Sequence, residues 1–134
     1  MPQRRPPDDP VEWLNRARSN LMRARADARL EGVYLEDLCF DAQQAAEKAV
    51  KALLIKREVE FPYVHDLAYL LTLLAEGGED IPEQVREAEA LTPYAVVARY
   101  PGVVEPVTAE RYQGVVEMAE AVVRWVEGRV EKDG

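Results

Sequence analysis

The chain has 134 residues, 48% hydrophobic and 31% charged, which fits one soluble globular domain able to bury roughly two-thirds of its unfolded surface, with no second domain expected. No apolar run reaches the ~18 residues of a membrane span, and the start at Met1-Pro-Gln-Arg-Arg-Pro-Pro lacks the apolar stretch of a secretory signal, so the expected location is cytoplasmic. A net charge of −8 opposes non-specific attraction to nucleic acid, and the single cysteine, Cys39, excludes an intramolecular disulfide or a cysteine-based metal cluster.

Residues 1–9, rich in Pro, Arg and Asp, are expected to form a flexible tail. Asp9-Pro10 reads as an N-cap followed by proline in the first turn. A first helix then runs to about Leu30, with Trp13, Leu14, Ala17, Leu21, Ala24 and Ala28 on its apolar side and Arg18, Arg25 and Arg29 on another. Residues 1–34 hold seven Arg against five acidic residues, whereas residues 35–107 hold six basic against fourteen acidic. Any surface that faces an anion should therefore draw on the first helix.

After a turn at Glu31-Gly-Val33, a second helix runs to about Glu58. Leu38, Ala42, Ala45, Ala46, Ala49, Leu53 and Leu54 recur at three- and four-residue spacing and form one apolar side. Four of these seven are alanine, so neighbouring helices can approach closely and this helix belongs at the centre of a bundle. Cys39 falls within the stripe and reads as a small buried hydrophobe. Asp41, Gln44, Lys48 and Lys51 fall on the opposite side, with Gln43 and Glu47 flanking. Taken alone, that side reads as a solvated face supported by a Glu47–Lys51 pair worth a few tenths of a kcal/mol.

Glu60-Phe-Pro-Tyr-Val-His-Asp66 is a connector, because proline disfavours helix in the residue before it and Asp66 suits a helix start. Leu67, Leu70, Leu71 and Leu74 mark a short third helix that Gly77-Gly78 ends. Pro82 opens a fourth helix, which Thr92-Pro93 either kinks or restarts before Tyr100-Pro101-Gly102 closes it. A fifth follows the N-cap candidate Thr108, with Val115, Met118, Ala119, Val122, Val123 and Val126 on one side, and ends near Val130. The pairs Val96-Val97 and Val103-Val104 are too short for strands, and no repeat is present. The predicted fold is thus an all-α, up-and-down bundle of four to five helices over residues 10–130, with residues 131–134 as a C-terminal tail. The alanine stripe of the second helix and the wide valine face of the fifth exceed what one small bundle easily buries, which predicts a homodimer.

Few residues offer chemistry. His65 is the only imidazole, and the carboxylate clusters lack a calcium-loop spacing, so no metal and no cofactor is expected. Ser19 is the only serine and has no glycine-rich elbow around it. Gly77-Gly78 runs into Glu79-Asp80, which would repel phosphate. His65-Asp66 reads either as a cap and loop-pinning pair or as an imidazole placed for acid–base or anion contact near neutral pH. Arg99-Tyr100 reads either as simple helix termination or as a guanidinium and ring suited to phosphate and base.

Three runs in this order, Gln43-Gln44-Ala45-Ala46-Glu47-Lys48-Ala49, the Pro-x-x-His-Asp-Leu pattern at Pro62 to Leu67, and Ala98-Arg99-Tyr100-Pro101, resemble the HEPN family of small helical domains. The resemblance extends over roughly residues 10–130. It implies a helical, usually dimeric domain, and it looks like two branches of the family. Many HEPN proteins resemble ribonuclease toxins with an Arg followed four to six residues later by His; Arg99 best matches that arginine, but Tyr100-Pro-Gly-Val-Val-Glu-Pro106 holds no histidine, so the ribonuclease signature is incomplete. Others resemble subunits paired with a minimal nucleotidyltransferase, in toxin–antitoxin fashion, or the helical domain of aminoglycoside nucleotidyltransferases. The resemblance therefore favours a homodimeric binding module for nucleotide or RNA, with Arg99, Tyr100, His65, Lys48 and Arg25 as the contacting residues. Two alternatives stay open: a metal-independent ribonuclease using Arg99 with His65, and a purely structural interaction protein.

Overall fold

The computed structural model describes residues 5–26, 31–96 and 106–132. Five α-helices and one 3₁₀ helix carry the fold: α1 (Pro10–Ala26), α2 (Leu35–Lys56), α3 (Leu67–Glu76), α4 (Glu83–Arg86), the 3₁₀ helix Glu87–Val96, and α5 (Ala109–Lys132). No strand occurs among the described residues. The molecule is the all-α bundle that the helical periodicities predict.

Helix starts follow local chemistry. The Asp9 carboxylate accepts from the Val11 amide at 2.8 Å, capping α1 at its proline. Asp66 caps α3, accepting from the Tyr69 amide at 3.3 Å. Thr108 caps α5, accepting from the Arg111 amide at 3.0 Å. Residues 5–9 lie against the start of α1: the Trp13 indole donates to the Pro7 carbonyl at 2.6 Å, and the Arg5 amide donates to Glu12 at 2.9 Å.

Helix α2 is the axis of the bundle and meets α1, α3, the 3₁₀ helix and α5. Its alanines 42, 45, 46, 49 and 52 are fully buried, as are Leu53 and Leu54, so close approach of neighbours on several sides is what the small residues permit. Cys39 is fully buried, and burial pushes its thiol up to about 12. The valine face of α5 is used within one chain: Val115, Val122, Val123 and Val126 all lie in the same core as α2. That width carries no argument for a dimer, because the monomer already covers it.

The fourth helix differs from the sequence expectation of an α-helix from Pro82 that Thr92-Pro93 kinks or restarts. Only one α turn forms before the chain tightens into a 3₁₀ helix that contains Pro93. Val85 of α4 and then Ala88, Leu91 and Tyr94 of the 3₁₀ helix are buried at every third position, the repeat of a 3₁₀ helix, with Ala95 buried beside Tyr94. Proline within the run removes a donor that an α-helix would use.

Helices α1 and α5 are joined by charge. Arg18 pairs with Glu127 at 2.5 Å and with Glu131 at 2.7 Å, and Arg25 pairs with Glu120. Arg18 and Arg25 are seven residues apart and so share one face of α1. Their partners descend along α5 as they ascend along α1, which makes the two helices antiparallel.

Candidate functional site

On the polar side of α2, Asp41 and Lys51 with the flanking Gln43 and Glu47 are buried, while Gln44 and Lys48 are half-buried. Asp41, Gln43, Glu47 and Lys51 are each 5% exposed or less. These four are covered because α1 crosses α2 on one side and the 57–66 connector on the other. Each buried group has a partner, as desolvation requires. Lys51 Nζ donates to Glu47 at 2.8 Å, the Gln43 amide donates to the other Glu47 oxygen at 2.9 Å, and Gln44 donates to Gln43 at 2.7 Å. The Lys51 ammonium also sits 5.9 Å from the Trp13 ring centre and 5.8 Å from that of Phe61. Both rings offer it a π face.

His65 reaches this seam from the connector, with Nδ1 3.0 Å from Glu47. Its ring is half-exposed while the carboxylate beneath is buried. Burial alone would raise the Glu47 carboxyl, but hydrogen bonds from Lys51 and Gln43, the Lys51 charge and the His65 contact together hold it below the usual carboxylate range. The loop-pinning reading of His65-Asp66 therefore has its geometry on both residues: Asp66 caps α3 and His65 ties the connector to α2.

A second polar group lies toward the start of α1. Glu12, Arg16, Asn20 and Arg23 recur at helical spacing on the face of α1 that looks across to α2. Arg16 pairs with Glu12 at 2.7 Å, the Asn20 amide donates to Asp41 at 3.1 Å, and Arg23 stands 3.7 Å from Asp41. Lys48 projects from α2 into this group and donates to the Asn20 side-chain carbonyl at 2.9 Å. No carboxylate lies within ion-pair distance of Lys48 among the described residues. Burial first, and then Arg16 and Arg23, lower its pKa, while Glu47 and Asp41 act in the opposite sense. Arg5, Pro7, Glu12, Trp13, Arg16 and Lys48 line a half-open cleft of about 340 Å³. An aromatic ring and three cations thus face one concavity, the chemistry that suits a phosphate with an attached ring.

Of the residues singled out by sequence, Lys48 and His65 are brought to the same stretch of α2, on either side of the Glu47–Lys51 pair. Arg25 is not: five residues beyond Asn20, it is turned about 140° away on α1 and pairs with α5. Arg99 and Tyr100 lie outside the described residues. Sequence reasoning did not find Arg5, Glu12, Arg16 and Asn20, and it assigned Trp13 to the core. The legible signal was the polar series Glu12-Arg16-Asn20-Arg23, complementary to the polar side of the second helix. Among the described residues no three His, Cys, Asp or Glu side chains group as a metal site, and no helix is long and apolar enough to cross a membrane.

An all-α bundle built on one central alanine-rich helix, with a buried polar seam along it, defines the class. The HEPN domain family model matches residues 11–129, and the chain belongs to the HEPN family. Among solved structures, that of ST0689, an archaeal HEPN homologue, is similar at 28% identity with a TM-score of 0.73, covering 91% of this chain and 98% of that one. A comparison with curated proteins found no match.

Proposed function

We propose that this HEPN protein is a binding module for nucleotide or RNA and that the α1–α2 cleft around Lys48 receives the phosphate. The observation that carries this reading is the placement of Lys48: a half-buried cation whose partner is a neutral amide, beside Arg5, Arg16 and Trp13. A desolvated ammonium without a carboxylate is costly, and an arriving phosphate would relieve that cost. With the chain at net −8, local cations must supply the attraction, and here the five cations Arg5, Arg16, Arg23, Lys48 and Lys51 exceed the four carboxylates Asp9, Glu12, Asp41 and Glu47 by one. Arg99 and Tyr100, which lie outside the described residues, belong to the proposed contacts through the family resemblance alone. The homodimer belongs to the reading through family membership, since HEPN domains usually dimerise, and a minimal nucleotidyltransferase is the proposed protein partner.

The test is a calorimetric titration with a nucleoside triphosphate and with a single-stranded RNA oligonucleotide. Lys48→Ala is expected to weaken binding about tenfold or more, the ~1.4 kcal/mol of one charge-assisted contact, and Arg99→Ala to weaken it without loss of helicity. Unchanged affinity in Lys48→Ala with intact helical content would contradict the assignment of the cleft.

A further inference from the structure

We propose that Lys48 is an amine nucleophile toward aldehydes that carry a phosphate, with Arg5 and Arg16 holding the phosphate and the Trp13 face lining the approach. The inference rests on the cleft being an anion site, as above, but not on a nucleotide being its occupant.

A lysine acts as a nucleophile when its amine is desolvated or stands beside other cations, and when no carboxylate fixes it as an ammonium. Lys48 meets each condition. The three carboxylates around it are engaged by other donors: Glu12 by the Arg5 amide and Arg16, Asp41 by Asn20 and Arg23, and Glu47 by Gln43, Lys51 and His65. What remains for Lys48 is the Asn20 carbonyl, which orients the amine without trapping a proton. Burial first, then Arg16 and Arg23, lower its titration against the opposing charges of Glu47 and Asp41.

The substrate class follows from the cleft walls. Arg5 and Arg16 each commit Nε to a carboxylate, Asp9 and Glu12 respectively, and both side chains stay half-exposed, which leaves guanidinium donors for a further anion. Phosphate suits such paired guanidinium groups better than a singly charged anion does. The remaining lysine of the seam, Lys51, is closed off: 4% exposed, bonded to Glu47 and covered by Trp13 and Phe61.

In the reaction the Lys48 ammonium first gives a proton to water. The amine lone pair then forms a C–N bond to the aldehyde carbon while the C=O π pair moves to oxygen. Transfer of a proton from nitrogen to that oxygen gives a carbinolamine, and loss of its hydroxyl together with the remaining N–H proton, as water, leaves a neutral imine as the nitrogen lone pair forms the C=N bond. Amine and aldehyde become imine and one water, with no oxidant or reductant.

The experiment uses pyridoxal 5′-phosphate on the whole protein, borohydride to trap any imine, and peptide mass spectrometry over the chain's four lysines. Lys48 is expected to be labelled about tenfold or more faster than Lys56 or Lys132, and about tenfold faster than pyridoxal without phosphate labels it, the gain from one charge-assisted anchor. Lys48→Arg should remove the fast adduct, and Arg5→Gln should bring the phosphate-bearing probe toward the rate of pyridoxal. Even labelling of the lysines, or equal rates for the two probes, would overturn the proposal. Nucleotide binding is read separately by tryptophan fluorescence, so Lys48 labelling without nucleotide binding would sustain this inference and sink the nucleotide reading alone.

Discussion

Lys51 carries a charge into the interior of α2, and its neighbours decide whether the fold tolerates it. Glu47 supplies the counter-charge at 2.8 Å, Trp13 and Phe61 supply π faces, and His65 and Gln43 satisfy the remaining carboxylate capacity. Removing one member of a buried pair leaves the other uncompensated, so Lys51→Met is expected to cost about 3–5 kcal/mol in urea unfolding. Adding Glu47→Leu to that variant should recover part of the loss, because the orphaned carboxylate goes with it. A double variant as unstable as the sum of the singles would show that the two groups do not act as a pair. In the sequence Glu47 and Lys51 read as a surface i, i+4 pair. That spacing fixes the contact between them but not the solvent around them, which depends on Trp13 and Phe61 arriving from other elements.

Each helix was legible to the extent that its boundary chemistry is local. Asp9-Pro10, Asp66 and Thr108 each act within three residues, and all three mark helix starts as expected. Asp66→Ala should therefore lower stability by about 1 kcal/mol, measured by chemical denaturation, with α3 still formed. A neutral substitution would mean that the contact of His65 with Glu47 and the Leu67 amide donating to the Thr92 hydroxyl hold the connector without the cap. The fourth helix was less legible because proline announces a break but not the geometry that replaces it. The period of three at Val85, Ala88, Leu91 and Tyr94 carried that information, and the α-helical template passed over it. The polar stripe of α1 was written in the chain at Glu12, Arg16, Asn20 and Arg23, yet its meaning depends on register against α2. Only pairing such as Asn20 with Asp41 and Lys48 turns two polar faces into one cleft.

For the molecule as a whole, the position of Glu47 sets an acid limit. Its folded carboxyl lies below the ordinary value of 4.5 despite burial, because Lys51, Gln43 and His65 stabilise the charged form. The unfolded chain therefore takes up a proton more readily, and the stability from this group is present above about pH 5 and lost as pH falls through the lower folded value. The urea midpoint should fall on acidification below about 4.5, and Glu47→Gln should be less stable at neutral pH with a shallower acid decline. A parallel decline in both proteins would place the acid sensitivity elsewhere, for example in the depressed Glu120 beside Arg25.

The fold also concentrates opposite charges in different places. Arg18 and Arg25 are absorbed by α5, so the arginine surplus of the first helix does not make a uniform basic face. What stays open is the other face, where Arg5, Trp13, Arg16 and Lys48 share a cleft. The measurement that tests this most directly is a titration of isotope-labelled protein with a nucleoside triphosphate, followed by amide and side-chain chemical shifts. Saturable shifts centred on Arg5, Trp13, Arg16, Asn20 and Lys48 are expected. Saturable shifts confined to other surfaces, or none at millimolar nucleotide, would contradict it.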